Sequence, residues 1–190
     1  MYSAFWWIAG DCLGFRRDTA ISPSSGKQYQ LASELKYDVD RIIPYEDQLK
    51  TFTQHGFALW DVLESCERKG SLDTAIKKET PNKIREFCQE HPTIKRIVMA
   101  NGSTQCTFFN RHFKDWWESG ELKPAKNEVS QKAFGKYAKK TNDFEHASIE
   151  CLVGLGVSPA AAKFSYKEKR DYYEQYCYAP GLLDHKELNS

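Results

Sequence analysis

Gly56-Phe57-Ala58-Leu59-Trp60-Asp61-Val62-Leu63-Glu64-Ser65-Cys66-Glu67-Arg68-Lys69-Gly70-Ser71-Leu72-Asp73-Thr74-Ala75-Ile76 sets a glycine stop, an apolar run and an acidic break in close succession. Residues 57–60 are apolar throughout, as expected of a central strand covered on both faces. The run ends at Asp61. Ligands of open parallel sheets bind beyond the carboxyl ends of the strands, so a carboxylate there is placed to meet one. The competing reading makes Asp61 the cap of a helical turn over 62–67, its side-chain oxygen accepting a backbone N–H. The residues alone leave the two open.

Working outward, residues 45–55 read as a helix opened by Pro44 and closed by Gly56, with Leu49 and Phe52 inward. Downstream, Ser71 is placed to cap a short helix over 72–78, and 82–90 reads as a further helix with Ile84, Phe87 and Cys88 on its apolar side. Residues 94–100 read as a strand ending at Asn101-Gly102. A helix over 103–117 follows, its inner stripe made of Cys106, Phe109, Phe113 and Trp116. A strand over 148–153, a loop over 154–162 and a helix over 166–178 complete the series. Residues 2–13 have helical spacing and end at Gly14. Residues 15–43, with Ser22-Pro23-Ser24-Ser25-Gly26, have the composition of a loop. Strands alternating with helices predict a three-layer α/β/α sandwich around a mainly parallel central sheet.

Several pieces of this chain, in order, resemble the hypoxanthine-DNA glycosylase branch of the uracil-DNA glycosylase superfamily. The longest is 44–84, with Tyr45, Leu59-Trp60-Asp61-Val62-Leu63, Ser65-Cys66, Gly70-Ser71-Leu72-Asp73 and Pro81-Asn82. Ala4-Phe5-Trp6 is similar to that family's Asn-Ala-Phe-Trp, Asn101-Gly102 to the end of its next strand, and Ser158-Pro159-Ala160 to its Ser-Pro-Ala loop. Three departures accompany the match. The family's first strand and glycine-containing active-site loop precede Asn-Ala-Phe-Trp, and this chain starts at Met1-Tyr2-Ser3, so the first strand of the sheet is expected to be missing. Ser3 stands where the family has Asn, and a hydroxyl donates only one hydrogen bond. Residues 154–157 are less polar than the run the family places before Ser-Pro.

The resemblance implies hydrolysis of the N-glycosidic bond of a deaminated base in double-stranded DNA, by a monomer acting without metal or cofactor. Such an enzyme extrudes the base, stabilises the negative charge it leaves with, and holds a water near the anomeric carbon. By position, Ser3 and Asp61 are the candidate catalytic residues. Phe5, Asp61 and Asn101 are the candidate base-binding residues. Asp61 would accept a hydrogen bond from the ring N–H that hypoxanthine and uracil share, and an unpaired carboxylate would reject adenine and cytosine. Asn101 would read the carbonyl, although Asn-Gly is also a turn pair. Ser158, Pro159 and Ala160 would press on the duplex, with Lys163 and Lys167 beside them on the phosphates. A non-catalytic nucleic-acid-binding or interaction module that retains this fold is the alternative.

The bulk numbers suit one intracellular domain. The chain has 190 residues with 11 Phe, 10 Tyr and 5 Trp to fill a core, and a formal net charge of only +1, which does not by itself announce a nucleic-acid binder. Lys123, Lys126, Lys132, Lys136, Lys139 and Lys140 form a local basic run, readable as a phosphate-facing stripe or as a solvated lysine face. Cys12, Cys66, Cys88, Cys106, Cys151 and Cys177 show no metal-binding spacing and read as buried thiols of a reducing compartment, nucleus or cytosol. His55, His91, His112 and His146 show no metal spacing either. Gly154-x-Gly156 after a strand is a weak phosphate-loop signal, because the later glycine of a dinucleotide fingerprint is absent. The apolar run 4–9 lacks a basic leader and is cut by Asp11, so it reads as neither a signal peptide nor a membrane span.

Overall fold

The computed structural model describes residues 3–17, 36, 42–70, 73–138, 149–158, 161 and 163–190. The chain divides into two compact units, Met1–Ala58 with Gly154–Ser190, and Leu59–Val153.

The first unit is mainly helical. Helix α1 (Phe5–Leu13) buries Trp6, Trp7, Ile8, Ala9, Gly10 and Asp11. Strand β1 (Arg16–Arg17) pairs in parallel with β2 (Ile42–Ile43). Helix α2 (Tyr45–Gln54) buries Gln48 and Phe52, and Gln48 Nε2 donates to the Ile43 carbonyl at 2.9 Å. Helix α7 (Tyr166–Tyr173) opens on a capping box, in which Ser165 accepts from the Glu168 N–H and the Glu168 carboxylate accepts from Ser165. It continues through a π-helical segment (Glu174–Tyr178) into α8 (Ala179–Leu188). Aromatic rings join these pieces: Trp6 stacks edge-on against Tyr45 and Phe52, and Phe57 lies 5.3 Å from Phe52 and 5.1 Å from Tyr178. Gly181 is required here, since a Cβ at that position would come within 2.7 Å of the Phe57 ring.

The second unit holds the sheet. Strands β5 (Arg96–Met99), β6 (Leu122–Pro124) and β7 (Ile149–Val153) form a parallel sheet in the order β5-β7-β6, with Met99 opposite Val153 and Leu122 opposite Ile149. Between them run α4 (Ser103–His112), α5 (Lys114–Ser119) and α6 (Glu128–Phe134). The central strand β7 is buried at four of its five positions, as a strand with neighbours on both sides requires. Around it pack Met99, Cys106, Phe109, Phe113, Trp116, Trp117, Leu122 and Phe134. Pro124 is tolerated because β6 is an edge strand. The class is the expected one, α/β with a parallel sheet flanked by helices, consistent with an α/β sandwich. All four residues of the expected inner stripe after β5 are buried, although the helix breaks at Phe113.

The opening stretch folds differently from its reading. Residues 57–60 form no strand and no helix covers 62–67; Ser71 and Leu72 lie outside the described residues, and of the expected helix up to 78 only a single 3-10 turn, Asp73–Ala75, is helical. Instead β3 (Leu63–Arg68) and β4 (Ile76–Pro81) form an antiparallel hairpin with bulges, followed by α3 (Ile84–Glu90). The physical reason lies in where the apolar run sends its side chains. Phe57 packs into the helical unit, whereas Trp60 stacks on Phe87 of the other at 4.3 Å. Leu59 and Trp60 stay 51% and 46% exposed, so no sheet buries them. The hairpin holds by backbone pairing and polar cross-links. Lys78 meets Glu67 at 2.7 Å, Asn82 N–H donates to the Val62 carbonyl at 3.0 Å, and Glu79 bonds Arg111 of α4. No helix of the described residues is long and apolar enough to cross a membrane.

Candidate nucleic-acid interface

In the sheet unit, β5 ends at Met99 and the chain turns through Ala100, Asn101 and Gly102 into α4. Gly102 N–H donates back to the Met99 carbonyl at 3.2 Å. Gly102 adopts φ 69 and ψ −137, a conformation closed to side-chain-bearing residues, so the tight turn into α4 depends on it. Asn101 is exposed, and its backbone N–H donates to Gln105 Oε1 at 2.6 Å. Asn101 thus follows the carboxyl end of β5, whose last residue Met99 pairs with Val153 at the end of β7, the end from which such sheets meet ligands.

Asp61 does not sit at a strand end. It lies exposed ahead of the hairpin, and its backbone carbonyl accepts from Asn82 Nδ2 at 3.0 Å. It caps no helical turn either. The premise of a carboxylate at the rim of a buried strand is thus corrected. Asp61 and Asn101 share no hydrogen bond.

In the helical unit, two predicted pieces come together. Ser3 Oγ accepts from the Phe5 N–H at 3.2 Å and donates to the Val157 carbonyl at 3.3 Å, while Ala4 N–H donates to the same carbonyl at 2.8 Å. The start of α1 is thereby fixed to the segment carrying Ser158. Phe5 is half-buried against Trp6 and Phe52, at centroid distances of 5.1 and 5.9 Å. Pro159 and Ala160 lie outside the described residues. Gly156 and Ala161 approach so closely that a Cβ on Gly156 would come within 2.8 Å of the Ala161 methyl. That glycine therefore serves packing within the segment. The next described helix begins only at Tyr166, too far on to complete a phosphate loop.

The basic groups divide. Lys163 is exposed over the Phe164 ring at 5.3 Å, and exposed Lys167 pairs with Asp171 at 2.7 Å. Lys169 and Arg170 are buried, so the run after the Ser-Pro-Ala segment presents a narrower positive surface than its sequence suggests. Of the other run, Lys126, Lys132 and Lys136 are exposed, with Lys136 over the Tyr137 ring, and Lys139 and Lys140 lie outside the described residues. Cys66 is exposed and Cys12 half-buried, contrary to their reading as buried thiols.

The sequence reading missed a buried ionic cluster. Asp11 accepts from the Tyr166 hydroxyl at 2.8 Å and from the Lys36 N–H at 3.3 Å. Its other oxygen lies 3.0 Å from Arg16, and Arg170 lies 3.9 Å away. Burial first, and then Asp11, pushes the Tyr166 hydroxyl far up, keeping it a donor. The available signal was an aspartate inside an apolar helix with two arginines close behind it. Histidines make local contacts: His55 Nδ1 lies 2.7 Å from the Thr51 carbonyl, and His112 faces Glu79 at 3.6 Å. Among the described residues, no three His, Cys, Asp or Glu side chains converge as a metal site would need.

Comparison with family models, with curated proteins and with solved structures returns no match.

Proposed function

We propose that this protein is a base-excision DNA glycosylase acting on deaminated bases, hypoxanthine or uracil, in double-stranded DNA. The observation that carries the reading is the ordered series of family-like segments from Ala4 to Ala160, of which 59–76 is the most specific. The placement of Asn101 past the carboxyl end of β5 supports it, as does the attachment of Ser3 to the segment carrying Ser158.

The chemistry divides among groups of modest power. As the glycosidic bond breaks, the sugar becomes cationic and the base departs with negative charge. Asn101 donates its amide to the base carbonyl. Asp61 accepts the ring N–H of hypoxanthine or uracil. Its carboxylate is hydrated in the free protein, so its selectivity grows only as the bound duplex excludes water. The Ser3 hydroxyl has spent its proton on Val157 and one lone pair on Phe5, which leaves one lone pair to accept from a water. Lys163 and Lys167 neutralise phosphates. Metal and cofactor have no part in the scheme. The working species is a monomer of the nucleus or cytosol.

Incubation with duplexes carrying one deoxyinosine or deoxyuridine, followed by alkali, tests this. Strand cleavage at the lesion is expected, reduced about tenfold or more in Asp61→Asn, which replaces the acceptor facing the ring N–H by an amide. Intact strands with both lesions would reject the enzyme. A second reading, binding without cutting, is favoured by the engagement of the Ser3 hydroxyl within the protein. It would be recognised by equal affinity for lesion and undamaged duplex with no cleavage.

A further inference from the structure

Residues 154–158 follow β7 and carry Ser158, and among the described residues of 154–161 the Leu155, Val157 and Ala161 carbonyls are each held. Tyr173 hydroxyl donates to the Leu155 carbonyl at 3.0 Å. Ala4 N–H and Ser3 Oγ donate to the Val157 carbonyl at 2.8 and 3.3 Å. Lys169 Nζ donates to the Ala161 carbonyl at 2.7 Å. Lys169 and Tyr173 are four residues apart on α7, hence on one face of that helix. One helix face therefore grips the segment on either side of Ser158, while the start of α1 grips its middle.

Both α7 donors are placed at a cost that a mere surface contact would not require. Lys169 is buried, with its ammonium desolvated and its pKa lowered by that burial. A lysine in such a position gives up hydration that a single carbonyl only partly replaces. Tyr173 is buried as well. Burial first, and then Cys177 and Tyr172, pushes its hydroxyl well up, so it remains a donor. Neither group points to solvent, so neither is available to touch a phosphate directly.

We infer that Lys169 and Tyr173 are positioning residues, which set the segment carrying Ser158 in its DNA-binding form before DNA arrives. The inference rests on the glycosylase reading for what that segment binds. Pre-organisation raises affinity by removing the ordering cost from the binding step. The pair thus acts on affinity through the backbone it holds. A lysine that contacts phosphate acts through counterion release and shows itself in the salt dependence.

The test uses the full chain with Lys169→Met, which keeps the aliphatic stem, and Tyr173→Phe, which keeps the ring. Thermal unfolding identifies any variant that fails to fold, and Tyr173→Phe, the gentler change, then carries the test. Amide hydrogen exchange over residues 154–161 is read alongside the dissociation constant for a deoxyinosine duplex at several salt concentrations. Faster exchange, roughly tenfold weaker lesion binding and a wild-type salt slope are expected, whereas Lys163→Ala lowers the slope by about one. Unchanged exchange overturns the clamp whatever the protein does to DNA. Faster exchange with wild-type affinity overturns the positioning role. A lowered salt slope in Lys169→Met makes Lys169 a direct phosphate contact and also overturns it. Faster exchange in a protein whose wild type shows no lesion preference keeps the clamp, defeats the glycosylase reading, and removes the positioning role with it.

Discussion

Asp11 shows how a single residue can reverse its apparent meaning. In the sequence it looks like the charge that ends an apolar run. In the fold it is buried within that run, surrounded by Tyr166, Arg16, Arg170 and the Lys36 N–H. Removing Asp11 takes the carboxylate away from the buried Arg16 guanidinium and from the Tyr166 hydroxyl, which costs on the order of 3 kcal/mol. Asp11→Ala should therefore lower the urea midpoint sharply. A shift equivalent to less than about 1 kcal/mol, the value of an exposed pair, would mean the cluster is solvated. Asp61 is the opposite case. Its position after four apolar residues suggested burial, yet those residues divide their contacts between Tyr178 and Phe87, and the carboxylate stays in water. Local pattern offered Asp11 only Arg16, with Tyr166 and Arg170 more than 150 residues away, and it offered nothing for Asp61, because Tyr178 and Phe87, on which Phe57 and Trp60 pack, lie more than 20 residues away from them.

At the scale of elements, legibility followed periodicity. The stripe of Cys106, Phe109, Phe113 and Trp116 and the apolar run of β7 are strong local signals: the stripe is buried as expected, on two helices rather than one, and the strand forms over Ile149–Val153. The hairpin β3–β4 carried no such signal. Its residues are mostly polar and mostly exposed, with no regular alternation to mark it, and its stability comes from backbone pairing and ion pairs that composition does not encode. Strand β6 was hidden for another reason, being three residues long and ending in proline.

Glu121 ties several of these elements, accepting from Arg85 of α3 at 2.7 Å and from the Trp116 indole of α5 at 2.8 Å, immediately before β6. Burial opposes its charge, but the bonds from Arg85, Trp116 and Ser119 outweigh it and hold its carboxyl below the usual range. A depressed carboxyl contributes stability that is present above its unfolded pKa, about 4.3, and is lost as pH falls through the lower folded value. Urea stability measured from pH 6 down to about pH 3 should fall less steeply in Glu121→Gln than in the wild type. Parallel curves would show that the bonds do not favour the ionised form.

At the scale of the whole molecule, α/β class and parallel pairing were readable because strands and helices alternate after residue 94. The division into two compact units was not readable, since its boundary falls inside the apolar run at Ala58 and Leu59. An intact hydrophobic run usually marks one element, and here it marks the passage between two. The candidate residues distribute accordingly, Ser3, Phe5 and Ser158 in the helical unit and Asp61 and Asn101 in the sheet unit. The glycosylase reading requires that a deaminated base leave the duplex stack. A duplex with 2-aminopurine next to deoxyinosine reports that event directly, since its fluorescence rises when its neighbour unstacks. Titration with the protein should raise the fluorescence of the lesion duplex and leave that of a matched undamaged duplex unchanged. Equal or absent responses from the two duplexes would contradict the account.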